Sequence, residues 1–136
     1  MTFGEAVKTA FSKYAVFDGR ARRSEFWYFT LFIFILDAVV WLLAHLVSAK
    51  FGNTLTTLVS LAILLPSLGV SVRRLHDIGK GGWWILLVIT VIGTLLLIFW
   101  WAQDSQDGEN EFGPNPKGVL GRKDIAENAK RFQQDD

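Results

Sequence analysis

The chain has 136 residues, 51% of them hydrophobic, with a mean hydropathy of +0.29, six Trp, eleven Phe and no cysteine. The missing thiols exclude disulfides, thiolate catalysis and every Cys-based zinc or iron–sulfur site. The net charge of +1 conceals segregation. Blocks almost free of charge run past 18 residues, which excludes an ordinary soluble domain.

In chain order, Thr2 and Glu5 have capping-box spacing. Phe3, Val7, Ala10, Phe11 and Tyr14 then form one helical stripe, with Lys8, Ser12 and Lys13 on the other side. Such a short amphipathic helix lies in the membrane interface or packs its stripe on the membrane bundle. Three blocks follow, at 26–47, 51–72 and 81–101. A hydrocarbon core of about 30 Å requires about 20 helical residues, so each predicts a transmembrane helix. Trp27, Tyr28, Trp83, Trp84, Trp100 and Trp101 mark the ends of the first and third blocks, as aromatic belts do. Pro66 predicts a local kink in the second. Residues 104–121 are rich in Asp, Asn, Gly and Pro and predict turns. Asp124 and Glu127 then cap a short helix with Ile125, Ala129 and Phe132 on one face. The fold class expected is all-α: three transmembrane helices, a short amphipathic N-terminal helix and a polar C-terminal tail. Residues 1–103 make a membrane domain and 104–136 the tail.

Orientation follows from basic residues near the span ends. Lys8, Lys13, Arg20, Arg22 and Arg23 precede the first span, and Arg73, Arg74 and Lys80 lie between the second and third. The first loop has only Lys50, and 102–116 has none. The N-terminus and second loop are therefore expected in the cytoplasm and the tail outside, with no cleavable signal at the start.

The most informative segments are FDGRARRSEFW at 17–27 and RRLHDIGKGGWW at 73–84, on one side of the membrane in this topology. Arg20, Arg23, Glu25, Arg73, Arg74, His76 and Asp77 form a candidate clasp. Glu25 and Asp77 pair with arginines of the opposite motif, whose planar fork suits a carboxylate. Cations left over face anionic lipid headgroups, each contributing about 1 kcal/mol. A nucleic-acid partner wants a larger basic face and is not expected. His45 and His76 are a membrane thickness apart, and His76 with Asp77 is expected to hydrogen-bond within the clasp. Asp104, Asp107, Glu109 and Glu111 do not match a calcium-loop spacing. No nucleophile elbow, phosphate loop or zinc-protease pattern is present, so neither metal, cofactor nor catalysis is expected.

Asp37 stands about 16 Å along the first span, near mid-membrane. An ionisable group there marks a functional position by default. Ser60, Thr90 and Thr94 are its candidate partners, in either a hydrogen bond between helices or a proton or ion relay.

The pattern G-R-A-x-R-S-E-x-W at 19–27, with R-R-L-H-D-x-G-K-x-G-W-W at 73–84, resembles the DUF805 family of small bacterial inner-membrane proteins. The tail segment from Asn110 to Pro116 resembles that family's N-x-[YF]-G-x-x-P ending. Arg22 and Phe26 depart from the family's usual small polar residue and Tyr. The resemblance implies a bacterial inner-membrane location and singles out Gly19, Arg20, Arg23, Glu25 and Trp27, then Arg73, Arg74, His76, Asp77, Gly79, Gly82 and Trp83. It implies no activity. The leading expectation is a non-enzymatic module binding lipid headgroups or a membrane-protein partner through the clasp. The alternative is a homo-oligomeric transporter or channel subunit that uses Asp37.

Overall fold

The computed structural model describes residues 1–118 and 122–134, and among these finds helices joined by turns, with one isolated bridge between Asn110 and Gly113. The elements are α1 (Phe3–Ser12), α2 (Arg23–Val47), α3 (Ala49–Asp77), a 3-10 segment η1 (Gly82–Ile89), α4 (Val91–Ala102) and α5 (Arg122–Gln134). The chain divides into two compact units, one of Met1–Val16 with Ser24–Val70 and the other of Phe17–Arg23 with Ser71–Asp136. Helices α2 and α3 are long and apolar enough to cross a membrane.

In the first unit the capping box of α1 forms as expected: Glu5 N–H donates to Thr2 Oγ1 at 3.2 Å and Thr2 N–H to Glu5 Oε2 at 2.9 Å. The stripe packs on α2 through rings. Phe3 lies 6.1 Å from Tyr28, and Phe11 lies 5.5 Å from Phe29 and 5.8 Å from Phe32. Ala6 and Ala10 are fully buried between those rings in sequence, small residues that let α1 approach closely.

Ser48 alone separates α2 from α3, and its Oγ accepts Phe51 N–H at 3.0 Å as an N-cap. The His45 ring lies across Gly52, where an added Cβ would come within 2.5 Å of Nδ1. Its Nδ1 donates to Trp41 O at 2.8 Å, and Nε2 is 3.1 Å from Asn53 Oδ1. The approach to α2 runs beside the far half of α3, since a Cβ on Gly69 would be 3.2 Å from Val16 O. The two helices are thus antiparallel.

Pro66 lies buried inside α3 and has no N–H to donate to Ala62 O, one turn back. Tyr14 supplies the missing donor: its hydroxyl hydrogen-bonds Ala62 O. A carbonyl freed at membrane depth is costly unless another group takes it.

In the second unit, α3 runs on to Asp77, so Arg73, Arg74, His76 and Asp77 occupy a last helical turn and not the loop expected. Lys80 N–H donates to Leu75 O at 2.9 Å and Gly79 N–H to His76 O at 3.0 Å, a Schellman stop that needs the left-handed φ of +77° at Gly79.

The helix expected over 81–101 does not form. The eight residues of η1 rise about 16 Å, and the twelve of α4 about 18 Å. The chain turns back between them. Thr90 Oγ1 accepts Gly93 N–H at 3.0 Å and donates to Leu87 O at 3.2 Å. Thr94 Oγ1 donates to Val88 O at 3.1 Å and to Thr90 O at 2.9 Å. Gly93 passes so close to Leu87 O that a Cβ would overlap it. At the other end Trp84 meets Trp100 edge to face at 5.5 Å, and Lys80 Nζ lies 4.9 Å from the centre of the Trp100 ring. Lys80 and Trp84 are therefore neighbours of Trp100, where a single span would hold them about 24–30 Å away.

The polar tail returns to the end of α3, where Gln106 N–H donates to Asp77 O at 2.8 Å. Helix α5 follows, with Ile125 and Phe132 exposed and an internal Arg131–Glu127 pair at 2.7 Å. The Asp124 side chain, expected to cap it, lies outside the described residues.

Candidate functional site

The second unit assembles an ion cluster from both sequence motifs and the tail. Arg20 stands just before α2 and is buried at 6% exposure. Its Nε donates to Asp77 Oδ1 at 3.0 Å, its Nη1 to Gly108 O at 2.6 Å and Gly113 O at 3.3 Å, and its Nη2 to Gln106 O at 2.6 Å and Asp77 O at 3.2 Å. A guanidinium carries five N–H donors, and each has an acceptor here.

Asp77 is fully buried at the end of α3. Besides Arg20, its carboxylate accepts Arg74 Nη1 at 2.6 Å and Ser105 Oγ at 2.5 Å, both on Oδ2. Arg74, also fully buried, donates through Nε to Trp101 O at 3.1 Å and through Nη2 to Gln103 O. Arg23 reaches Ala102 O at 3.4 Å through Nη1. Two arginines therefore cap the last carbonyls of α4, where the helix dipole is negative and intrahelical donors have run out.

Of the pairings expected across motifs, Arg20 with Asp77 forms. Arg74 instead meets Asp77 three residues on in its own helix, together with the tail carbonyls. Glu25 is buried in the first turn of α2 and belongs to the first unit. Arg73 is fully buried, and its carbonyl accepts Ala21 N–H at 3.0 Å. That bond fastens the lead into α2 to the end of α3.

His76 hydrogen-bonds within the cluster as expected, its Nδ1 donating to Gly19 O at 2.9 Å. Its ring stacks on Phe112 at 3.9 Å with an interplanar angle of 1°. Asn110 Nδ2 donates to His76 O at 2.9 Å, and its Oδ1 accepts Phe112 N–H at 2.9 Å. Stacked, packed and bonded to a carbonyl, this imidazole is held as a structural element.

The rim is more open. Asp104, with its side chain 56% exposed, hydrogen-bonds Lys117 and lies 3.7 Å from Arg23 Nε. The Lys117 hydrogen bond, then the Ser105 N–H, hold its carboxyl below the usual carboxylate range. Stability from this shift is present above the ordinary carboxylate pKa and lost as pH falls through the lowered one. Solvent screening at such exposure keeps it small.

Thr90 and Thr94 spend their hydroxyls on the turn between η1 and α4. Ser60 is exposed on α3, and Asp37 is half-buried on α2 with Oδ1 shielded from solvent and no partner among the described residues.

Sequence reasoning missed Ser105, Gln106, Asn110 and Phe112 as parts of the site. The resemblance of Asn110–Pro116 to the family's ending carried a signal for the last two, while Ser105 and Gln106 look like any polar turn.

Comparison with known proteins agrees with the sequence motifs. A family model described as "Protein of unknown function (DUF805)" matches residues 14–114. The chain is 42% identical over 108 residues to the inner membrane protein YhaH of Escherichia coli (strain K12), covering 76% of this chain and 89% of the relative. It is 36% identical over 105 residues to the inner membrane protein YhaI of the same strain, covering 76% and 88%. No solved structure matches. The family match takes in both basic motifs and the tail as far as the carbonyl of Gly113 that Arg20 reaches, and the chain belongs to the DUF805 family.

Proposed function

We propose that the chain is a multi-pass protein of the bacterial inner membrane, with its N-terminus and second basic motif in the cytoplasm, acting as a non-enzymatic module that binds anionic lipid headgroups. The inner-membrane names of its relatives, the two long apolar helices and the basic residues gathered near α2's start and α3's end support that placement.

One observation carries the binding reading. Buried Arg20 and Arg74 donate to Asp77 and to carbonyls, whereas Lys80 and Arg23, the latter 3.7 Å from the exposed Asp104, lie at the rim beside the C-terminal turn of α4. Trp100 and Trp101 mark that turn as headgroup level. The cluster is then a scaffold and the rim its reading surface. Two cations there contribute about 2 kcal/mol toward an anionic leaflet. The effect is local and does not rest on net charge, because Asp107, Glu109 and Glu111 return to the same unit with the tail.

The test is native mass spectrometry of the protein released from nanodiscs that mix phosphatidylglycerol with phosphatidylethanolamine. The expected result is a species retaining phosphatidylglycerol in preference, with about ten- to thirty-fold less retention in R23Q/K80Q. Equal retention of both lipids, unchanged by the substitutions, would refute headgroup recognition. The alternative, an oligomeric transporter or channel subunit, is favoured by Asp37 Oδ1, which has no hydrogen-bond partner among the described residues. A discrete oligomer without retained lipid would support it.

A further inference from the structure

We infer that residues 82–102 form a re-entrant hairpin that enters one membrane leaflet and leaves on the side it entered, taking the acyl chains of that leaflet as its partner. This rests on the membrane reading above and is independent of headgroup recognition.

Length comes first. The two arms rise about 16 and 18 Å, about half of a hydrocarbon core of about 30 Å. They are antiparallel, since Trp84 and Lys80 meet Trp100 at one end while Leu87 and Val88 meet Thr90, Gly93 and Thr94 at the other.

Chemistry at the tip is the second argument. Hydrocarbon tolerates a chain reversal only where its polar groups are bonded. Thr90 N–H donates to Leu87 O at 3.1 Å, Thr94 N–H to Thr90 O at 2.9 Å, and Gly93 N–H to the Thr90 hydroxyl. The side chains projecting from this bonded turn are aliphatic: Ile89, Val91 and Ile92 are each 80% or more exposed. Such a tip has no water-soluble use. Lipid acyl chains are the partner that matches it in polarity, while tryptophans and a cation hold the base at the interface.

The polar tail then leaves at the level where it began. Its backbone closes over Arg20 and Asp77, so the second motif and the tail share one side.

Single cysteines test this cleanly, because the chain has none of its own. In the full-length protein in cells and in inverted membrane vesicles, K80C and E111C should react with an impermeant maleimide from the same side, and K50C from the other. A nitroxide at I92C should be relaxed by oxygen and hardly by a water-soluble nickel chelate. Reaction of E111C from the side of K50C would overturn the hairpin and restore a third span. Strong relaxation of the I92C label by nickel would show the tip in water and overturn the lipid partner. Lipid selectivity in nanodiscs is a separate readout, so either inference can fail without the other.

Discussion

Two side chains in this protein each answer for polar groups that a neighbour leaves open. Arg20 fills all five of its donors from one carboxylate and four carbonyls, three of which belong to the tail. Lysine in its place would keep the charge and lose the planar fork. Tyr14 does the corresponding service for Pro66, donating to the carbonyl that the imino acid leaves unpaired. Tyr14 and Pro66 are coupled through that carbonyl, and a mutant cycle measures the coupling. Tyr14→Phe should cost about 1–3 kcal/mol, the penalty for an acceptor left without a donor in apolar surroundings. With Ala at 66 the backbone N–H takes over, and the same Tyr14→Phe change should cost less than about 1 kcal/mol. Unfolding in detergent micelles, read by circular dichroism, measures both, and equal costs in the two backgrounds would refute the link. At this scale the sequence was legible where partners announce themselves by charge. Arg20 with Asp77 follows from two motifs with complementary groups. Tyr14 with Ala62 does not, because Pro66 marks the carbonyl one turn back as open but not which distant side chain reaches it.

Among the elements, hydropathy identifies α2 and α3 and misreads the third block. A window of apolar residues reports that a segment belongs in hydrocarbon and carries no information on whether its direction reverses there. The signal was nevertheless present as Thr90, Gly93 and Thr94 in the middle of the block. Thr90 and Thr94, expected as partners of Asp37, serve with Gly93 as the fittings of a turn: an N-cap, a glycine at a close backbone approach and a hydroxyl that bonds two carbonyls. Gly93→Ala places a Cβ against Leu87 O, which is backbone and cannot swing away. The substitution should cost about 1–3 kcal/mol or more, the range for overpacking. Gly81→Ala is the control, since a Cβ there meets nothing within 4 Å. Thermal unfolding in the same detergent should separate the two variants clearly. Similar melting temperatures for both would remove Gly93 from the turn's requirements.

For the whole molecule the tail is not one appendage but two parts with different obligations. Residues 103–113 supply Arg20 with the carbonyls of Gln106, Gly108 and Gly113, Arg74 with that of Gln103, and Asp77 with the Ser105 hydroxyl and the Gln106 N–H. Helix α5 carries exposed apolar residues and an exposed ion pair of its own. Composition cannot distinguish these parts, because both are polar and poor in aliphatic residues. Only the return of α4 to the ion cluster makes the first of them structural. A chain ending after residue 118 should therefore keep its melting temperature. A chain ending after residue 102 takes three carbonyl acceptors from buried Arg20 and one from buried Arg74. A hydrogen bond to a charged group contributes about 1.5–3 kcal/mol, so losing several at once should cost this shorter chain most of its folded fraction in gel filtration. If both truncations behaved alike and remained folded, the buried arginines would not depend on the tail. The ion cluster would then be stable on Arg20, Arg74 and Asp77 by themselves.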